Sequence, residues 1–295
     1  MIVEHVPCNL CGSKNKSPWK TIGSWRIVCC DACRFLFLDP RPTPEEMEAI
    51  LTQERVSDMY DGALDPERVD RAAIAFRLNM LKRMKDGGKL LDVGCGEGSF
   101  LSAAQQVGWS VYGIEILEGP GRAAAERLDG RVIIGDILEV DPPASPFDAI
   151  TMWDSLEHMR DPTAVVRRLK SHLKSNGILI VRVPHCTSFD ARVRGPKWRH
   201  WSLPLHMSHF TPRTVCRLLE QQGFAIEVVD RKISTVAWSL LGKLGLRAKG
   251  VAPAAEKREA PALMQAPSVA RQSVPFRLVK WLFTGREVTV AARLK

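Results

Sequence analysis

Short apolar runs recur along this chain at residues 90–93, 111–114, 132–134, 147–152 and 178–183, each of a length that suits a buried strand. Helical spacing fills the stretches around them. Ala72, Phe76, Met80 and Met84 stand four residues apart and predict a helix over residues 68–85 that leads into the first run. Thr211-Pro212 opens a helix over residues 214–222, which Gly223 ends. Two later runs, 225–230 and 287–293, read as a sixth and a seventh strand.

The first run carries the densest signal. Leu90-Leu91-Asp92-Val93 passes into Gly94-Cys95-Gly96-Glu97-Gly98-Ser99, so an apolar strand ends in alternating glycines and a helix-compatible segment follows. Glycines there allow a tight turn and let a ligand lie on bare backbone. A dinucleotide fingerprint needs a glycine at position 99, where this chain has serine, and that disfavours a nicotinamide or flavin cofactor. Glu115 ends the next strand, about 20 residues past the first glycine, where a ribose diol is gripped.

Further residues fall into order with these. Gly135-Asp136-Ile137 follows the third run, Trp153-Asp154 ends the fourth, and Glu157-His158 precedes Asp161-Pro162. Together they resemble the class I S-adenosylmethionine (SAM) dependent methyltransferases, over roughly residues 65–232 plus the final strand. The resemblance implies a Rossmann-like α/β sheet of seven strands, mostly parallel, with the last strand antiparallel. It implies SAM held by Asp92, Gly94, Gly96, Gly98, Glu115, Asp136, Ile137 and Trp153, with Asp136 toward the adenine amino group.

The amino-terminal segment has a chemistry of its own. Cys8-x2-Cys11 and Cys30-x2-Cys33 are separated by 18 residues, a spacing that reads as a four-cysteine zinc site. Such a site has no open position for water, so the metal is expected to be structural. Cys29 offers an alternative to Cys30, but the C-x2-C pair gives the usual knuckle. Residues 19–28 read as a hairpin turning near Ile22-Gly23-Ser24, and residues 35–38 as a strand packing back on it. The expected organisation is a zinc ribbon over 1–40, a linker helix within 41–64, and a methyltransferase domain over 65–295. Thr43-Pro44 starts the linker helix, with Glu46 closing a capping box. A ribbon, a Pro40-Arg41-Pro42 exit, an acidic helix and a tyrosine (here Tyr60) resemble a subset of methyltransferases found with carbohydrate pathways.

Composition sets outer bounds. The chain has 295 residues, 45% hydrophobic and 25% charged, in the range of a globular protein. No apolar run approaches the ~18 residues needed to span a bilayer. The first residues lack a basic region and an apolar core, so a cytoplasmic location is expected, where cysteine pairs bind metal more often than they form disulfides. The net charge of +9 is compatible with phosphate-bearing substrates, nucleic acid or an anionic membrane surface.

Residues 192–210 form the second informative region, with Trp198, Trp201, His206, His209 and Phe210 among several basic residues. A segment this long at a strand's carboxyl end is usually functional, and it resembles the acceptor-side lid of the same subset. An insertion at about 233–285 has amphipathic flanks that fit a membrane surface, a twin subunit or the domain's own apolar face, around a middle expected to be disordered. Methyl transfer to a hydroxyl requires a base, and histidine suits neutral pH. His158, His206 and His209 are the candidates. The expected acceptor is a small molecule, a nucleotide-linked sugar or glycan hydroxyl; the alternative is RNA, recognised by the ribbon and stacked on the basic, tryptophan-bearing lid.

Overall fold

Period-two alternation in the first forty residues builds an antiparallel sheet. β1 (Val3–Glu4) is followed by β2 (Lys16–Ile22) and β3 (Trp25–Cys30). The last two join through Gly23-Ser24, with Gly23 at φ 59°, in the left-handed region that tight hairpins use. β3 pairs with β4 (Leu36–Leu38), and β5 (Arg41–Pro42) returns to pair with β1. These features belong to a computed structural model that describes residues 1–52, 71–233, 247–248, 273–274 and 284–295. The helix Pro44–Thr52 starts at Thr43, whose Oγ1 accepts from the Glu46 N–H at 3.4 Å. The other half of the expected capping box is diverted, because Glu46 Oε1 accepts the Ile2 N–H at 2.9 Å.

The later runs form the main sheet. β6 (Lys89–Val93), β7 (Ser110–Glu115), β8 (Val132–Ile134), β9 (Phe147–Trp153) and β10 (Leu173–Pro184) pair in parallel. A two-residue strand, β11 (Ser208–His209), precedes β12 (Phe224–Ile233). β13 (Arg247–Ala248) and β14 (Ser273–Val274) pair with each other, and β15 (Thr284–Leu294) inserts antiparallel between β10 and β12. The order β12-β15-β10-β9-β6-β7-β8 is the expected Rossmann-like sheet of seven strands. The chain runs outward from β6 and returns beside it as β9, and such a reversal opens a crevice at the strands' carboxyl ends.

The helices start where capping chemistry places them. Asp161 Oδ1 accepts the Ala164 N–H at 2.9 Å to begin Pro162–Ser171. Thr211 and Thr214 cap reciprocally at the start of Pro212–Gln221. The helix leading into β6 is Arg71–Met84. Residues 53–70, including Tyr60, and most of the 233–285 insertion with both amphipathic flanks lie outside the described residues. Among the described residues no helix is long and apolar enough to cross a membrane.

The ribbon is part of the main body. β11 adds to β4, so one sheet runs β11-β4-β3-β2 and joins the first forty residues to residues 208–209. Cys8, Cys30, Phe35 and Phe37 share a contiguous buried cluster with Leu91, Ile150, Val181 and Val290 of the main sheet. Polar contacts seal the junction: Asn9 Nδ2 donates to the Arg160 carbonyl at 2.6 Å, and Thr163 Oγ1 donates to the Asn9 carbonyl at 2.5 Å.

Phe35 lies at this junction, fully buried, 6.0 Å from the Phe37 ring and 5.3 Å from the Phe210 ring between centroids. Phe35→Ala is expected to cost about 3–5 kcal/mol. Urea unfolding followed by far- and near-UV circular dichroism checks this: the loss should appear in the transition of the whole chain. A separate early ribbon transition, with the rest unshifted, would show that the two parts fold apart.

Candidate active site

The turn after β6 is built by three left-handed glycines. Gly94, Gly96 and Gly98 have φ of 76°, 56° and 75°, a region other residues enter only with strain. At Gly94 space adds to conformation, since a Cβ there would lie 2.6 Å from the Ser155 Cβ. At Gly96 a Cβ would meet nothing within 4 Å, so the backbone faces open space. Glu115 stands at the end of β7, buried, with Oε2 accepting the Gly96 N–H at 2.8 Å and Oε1 the Leu117 N–H at 3.0 Å. Burial pushes its carboxyl above the usual range, and these backbone N–H groups oppose that. A bare turn with a buried acid beside it fits a ribose-bearing ligand, as the spacing implied.

Asp92 does structural work beneath this turn. It is buried, and its Oδ1 accepts from Thr151 Oγ1 of β9 at 2.6 Å. Ser155 Oγ donates to the Val93 carbonyl at 2.7 Å, tying the exits of β6 and β9 together. Burial pushes the Asp92 carboxyl up to about 7, although the Thr151 hydroxyl and the Arg77 guanidinium oppose the shift.

The remaining cofactor candidates are placed unevenly. Asp136, in the turn after β8, is half-buried and accepts the Leu138 N–H on Oδ1 at 2.8 Å. Ile137 is buried in the main core. Trp153 is no open stacking face. The Arg77 and Arg182 guanidinium carbons lie 5.4 and 5.7 Å from its ring centroid, and Phe100 packs edge-on at 5.6 Å. Arg182 pairs through two nitrogens with Asp154 and approaches Glu287 to 4.0 Å. The motif pattern marked Asp154 only as the exit of the fourth strand and did not single out Arg77, Arg182 or Glu287, because the four come from separate segments with no common spacing. The buried Trp153 Nε1 and Arg77 Nε have no hydrogen-bond partner among the described residues.

On the β9 side, Glu157 and His158 form a one-turn helix, Leu156–His158. The lid brings His206 to it, with the two imidazole centroids 4.5 Å apart and nearly perpendicular. Burial lowers His158 to about 4 and His206 well below its ordinary value, so both rings are neutral at physiological pH. His209 is placed elsewhere. As a residue of β11 it is buried 5.4 Å from the Trp201 ring, and burial lowers it to about 3. Glu157 was visible in the sequence only as the neighbour of His158; burial and its proximity to Asp154 raise its carboxyl well above the usual range.

The lid tryptophans pack inward. Trp198, Trp201 and Phe210 are all buried; the two tryptophans join Cys29, Leu36 and Cys186 in one cluster, and Trp201 Nε1 donates to the Gly195 carbonyl at 2.8 Å. Faces that would stack on nucleic-acid bases are therefore occupied by the protein itself.

Cys8, Cys11, Cys30 and Cys33 converge, their sulfur atoms all within 4.8 Å of one another. The Cys8–Cys33 and Cys11–Cys30 separations are both 3.5 Å, close to the edge of a tetrahedron of thiolates at about 2.3 Å from a zinc ion. Cys29 follows the strand alternation onto the opposite face, against the lid tryptophans. The donor set thus fits a four-thiolate zinc site made with Cys30.

Comparison with known proteins agrees with this layout. A family described as a methyltransferase domain matches residues 66–229. A ubiquinone biosynthesis O-methyltransferase of Xanthomonas campestris is 31% identical over 157 residues, 50% of this chain. The chain spans only 62% of that relative's length. Among solved structures, a SAM-dependent methyltransferase of Thermotoga maritima superposes with a TM-score of 0.53 at 19% identity, covering 82% of this chain and 100% of its own. A 1,6-didemethyltoxoflavin-N1-methyltransferase of Burkholderia thailandensis, solved with that compound and S-adenosylhomocysteine, superposes with 0.51 at 19% identity, covering 95% and 99%. At this identity the likeness establishes the fold.

Asp92 links the site to pH. Its folded carboxyl titrates near 7, above the ~3.9 of an unfolded chain, so the folded state holds an extra proton in between. Its contribution to stability is therefore full below about pH 4, falls as pH rises, and levels off above about 7. Asp92→Asn should flatten the decline of unfolding free energy between pH 5 and 7.5, by about 1.4 kcal/mol for each pKa unit removed. Urea titrations of both proteins at the two pH values measure it; parallel slopes would show that Asp92 stays ionised.

Proposed function

The chain belongs to the methyltransferase-domain family, and we propose that it transfers the methyl group of SAM to a hydroxyl of a small molecule. The observation that carries this reading is the juxtaposition of two ends on one sheet edge. The glycine turn and Glu115 occupy the exits of β6 and β7, and Glu157, His158 and His206 gather at the exit of the adjoining β9. SAM supplies a methyl group already activated on a sulfonium, so the protein's task is to align the acceptor and manage its proton.

Each group then has a role. Gly94, Gly96 and Gly98 give the ligand bare backbone, Glu115 takes the ribose hydroxyls, and Asp136 the adenine side. Arg77, with an unpartnered buried Nε, and Trp153 Nε1 line the same edge as donors. The Glu157–His158–His206 cluster receives the acceptor proton, with both imidazoles neutral and able to accept it. His209 and the lid tryptophans hold the lid in place. The names of the curated relatives support an oxygen acceptor. A nucleotide-linked sugar or glycan hydroxyl is the finer reading, resting on the ribbon and lid pattern. Burial of Trp198, Trp201 and Phe210 weighs against RNA.

The four cysteines hold a structural zinc. Cys11→Ser should lose one zinc equivalent by elemental analysis and, because Cys8, Cys30 and Cys33 lie in the main core, lower the melting temperature of the whole chain. Full zinc content in that variant would show that the ligand set is different.

Glu115→Ala should weaken SAM binding tenfold or more in calorimetry, on the order of 1.5–3 kcal/mol for lost charge-assisted hydrogen bonds. Incubation with methyl-labelled SAM and cell extract, fractionated into RNA, protein, glycan and small molecules, identifies the acceptor class. Label in the small-molecule or glycan fraction supports the proposal, and label in RNA overturns it.

A further inference from the structure

Glu157 poses a physical problem that general-base chemistry alone does not solve. Its side chain is 1% exposed, and neither carboxylate oxygen finds a hydrogen-bond partner in another described residue. An ionised carboxylate in that state is costly, and proteins retain one when it is paired or binds a cation. Two neutral imidazoles stand beside it: a carboxylate oxygen of Glu157 and ring nitrogens of His158 and His206 all lie within 4.8 Å of one another.

The outer contacts of the two rings point the same way. His206 Nδ1 lies 2.8 Å from the His200 carbonyl and donates to it, so Nε2 carries the lone pair. The Leu205 backbone carbonyl acts on the His158 ring from its other side, favouring an N–H there. A backbone carbonyl holding the far N–H is the usual arrangement behind a metal-bound histidine, where it fixes tautomer and ring orientation. Three donors at about 2.1 Å from one ion stand about 3–3.6 Å apart, so side-chain movement of about 1 Å would close the three onto one cation.

We propose that Glu157, His158 and His206 form a second metal site, distinct from the cysteine cluster, which takes a divalent transition cation. One carboxylate and two imidazoles favour Zn2+, Mn2+ or Fe2+ over all-oxygen cations such as Ca2+. Three protein ligands leave coordination positions open. Resting on the function proposed above, those positions take the acceptor oxygen, whose proton the cation makes easier to remove. The neutral imidazoles then serve as ligands, and proton removal becomes a property of the loaded cluster.

Mn2+ is the discriminating probe, because thiolate clusters are poor hosts for it. Titration of the full chain with Mn2+, followed by loss of the free-ion paramagnetic resonance signal, should show one site per chain. Glu157→Gln and His206→Ala should each weaken that site at least about tenfold, the scale on which even outer-contact changes affect metal sites. Both should keep the cysteine-bound zinc. Glu157→Gln keeps the size of the side chain and leaves no buried acid to ionise there, so the melting temperature of its metal-free form should equal or exceed that of the parent. No Mn2+ uptake by the parent chain, or unchanged uptake in both variants, overturns the proposal. Metal uptake without SAM binding would sink the methyltransferase reading and leave the site standing; methyl transfer with no uptake would sink the site alone.

Discussion

Pairing between β4 and β11 organises the half of this molecule that carries the histidine cluster. Ser208 and His209 lie opposite Phe37 and Leu36, and the Leu38 N–H donates to the Met207 carbonyl at 2.9 Å. Buried backbone groups need partners, so once these strands meet the lid cannot leave the ribbon without exposing or orphaning several. His206 is two residues before this strand, and its position opposite His158 follows. The cysteine cluster holds the base of the same sheet, through Cys30 at the end of β3. The cysteine cluster, the segment over residues 192–210 and the histidine cluster are thus tied together through one sheet.

The sheet edge also concentrates buried charge. Arg182 holds Asp154 through two nitrogens and faces Glu287, while Arg77 stacks on Trp153 and reaches Asp154 at 4.0 Å. Buried ion pairs cost desolvation that they regain only with good geometry. Here the geometry ties the carboxyl ends of β9 and β10 to the amino end of β15 at one edge of the sheet. The acidic groups fall into two kinds. Glu115 is satisfied by backbone N–H groups and can still accept from a ligand through remaining lone pairs. Glu157 has no such partner in another described residue, and that difference sets the two buried acids apart.

Strand identity and order of appearance were legible in the residues, because apolar runs bounded by glycines obey local rules. The glycine turn, Glu115, the two cysteine pairs and the adjacent Glu157-His158 were legible too, since each is a short-range spacing. Chemistry assembled across the chain was not. The Arg77, Asp154, Arg182 and Glu287 group joins segments up to 210 residues apart, and only the sheet order makes them neighbours. The tryptophans of residues 192–210 read as an acceptor-side wall, with nucleic-acid stacking as the alternative, and the structure buries Trp198 and Trp201 against Cys29 and Leu36. His206 and His209 looked equivalent three residues apart, yet β11 places His209 against Trp201 while His206 meets His158. Local periodicity and motif spacing therefore determined the α/β frame and the cofactor turn. Tertiary structure alone decided which polar groups share a buried space, because that depends on pairings between strands whose separation in sequence carries no periodic signal.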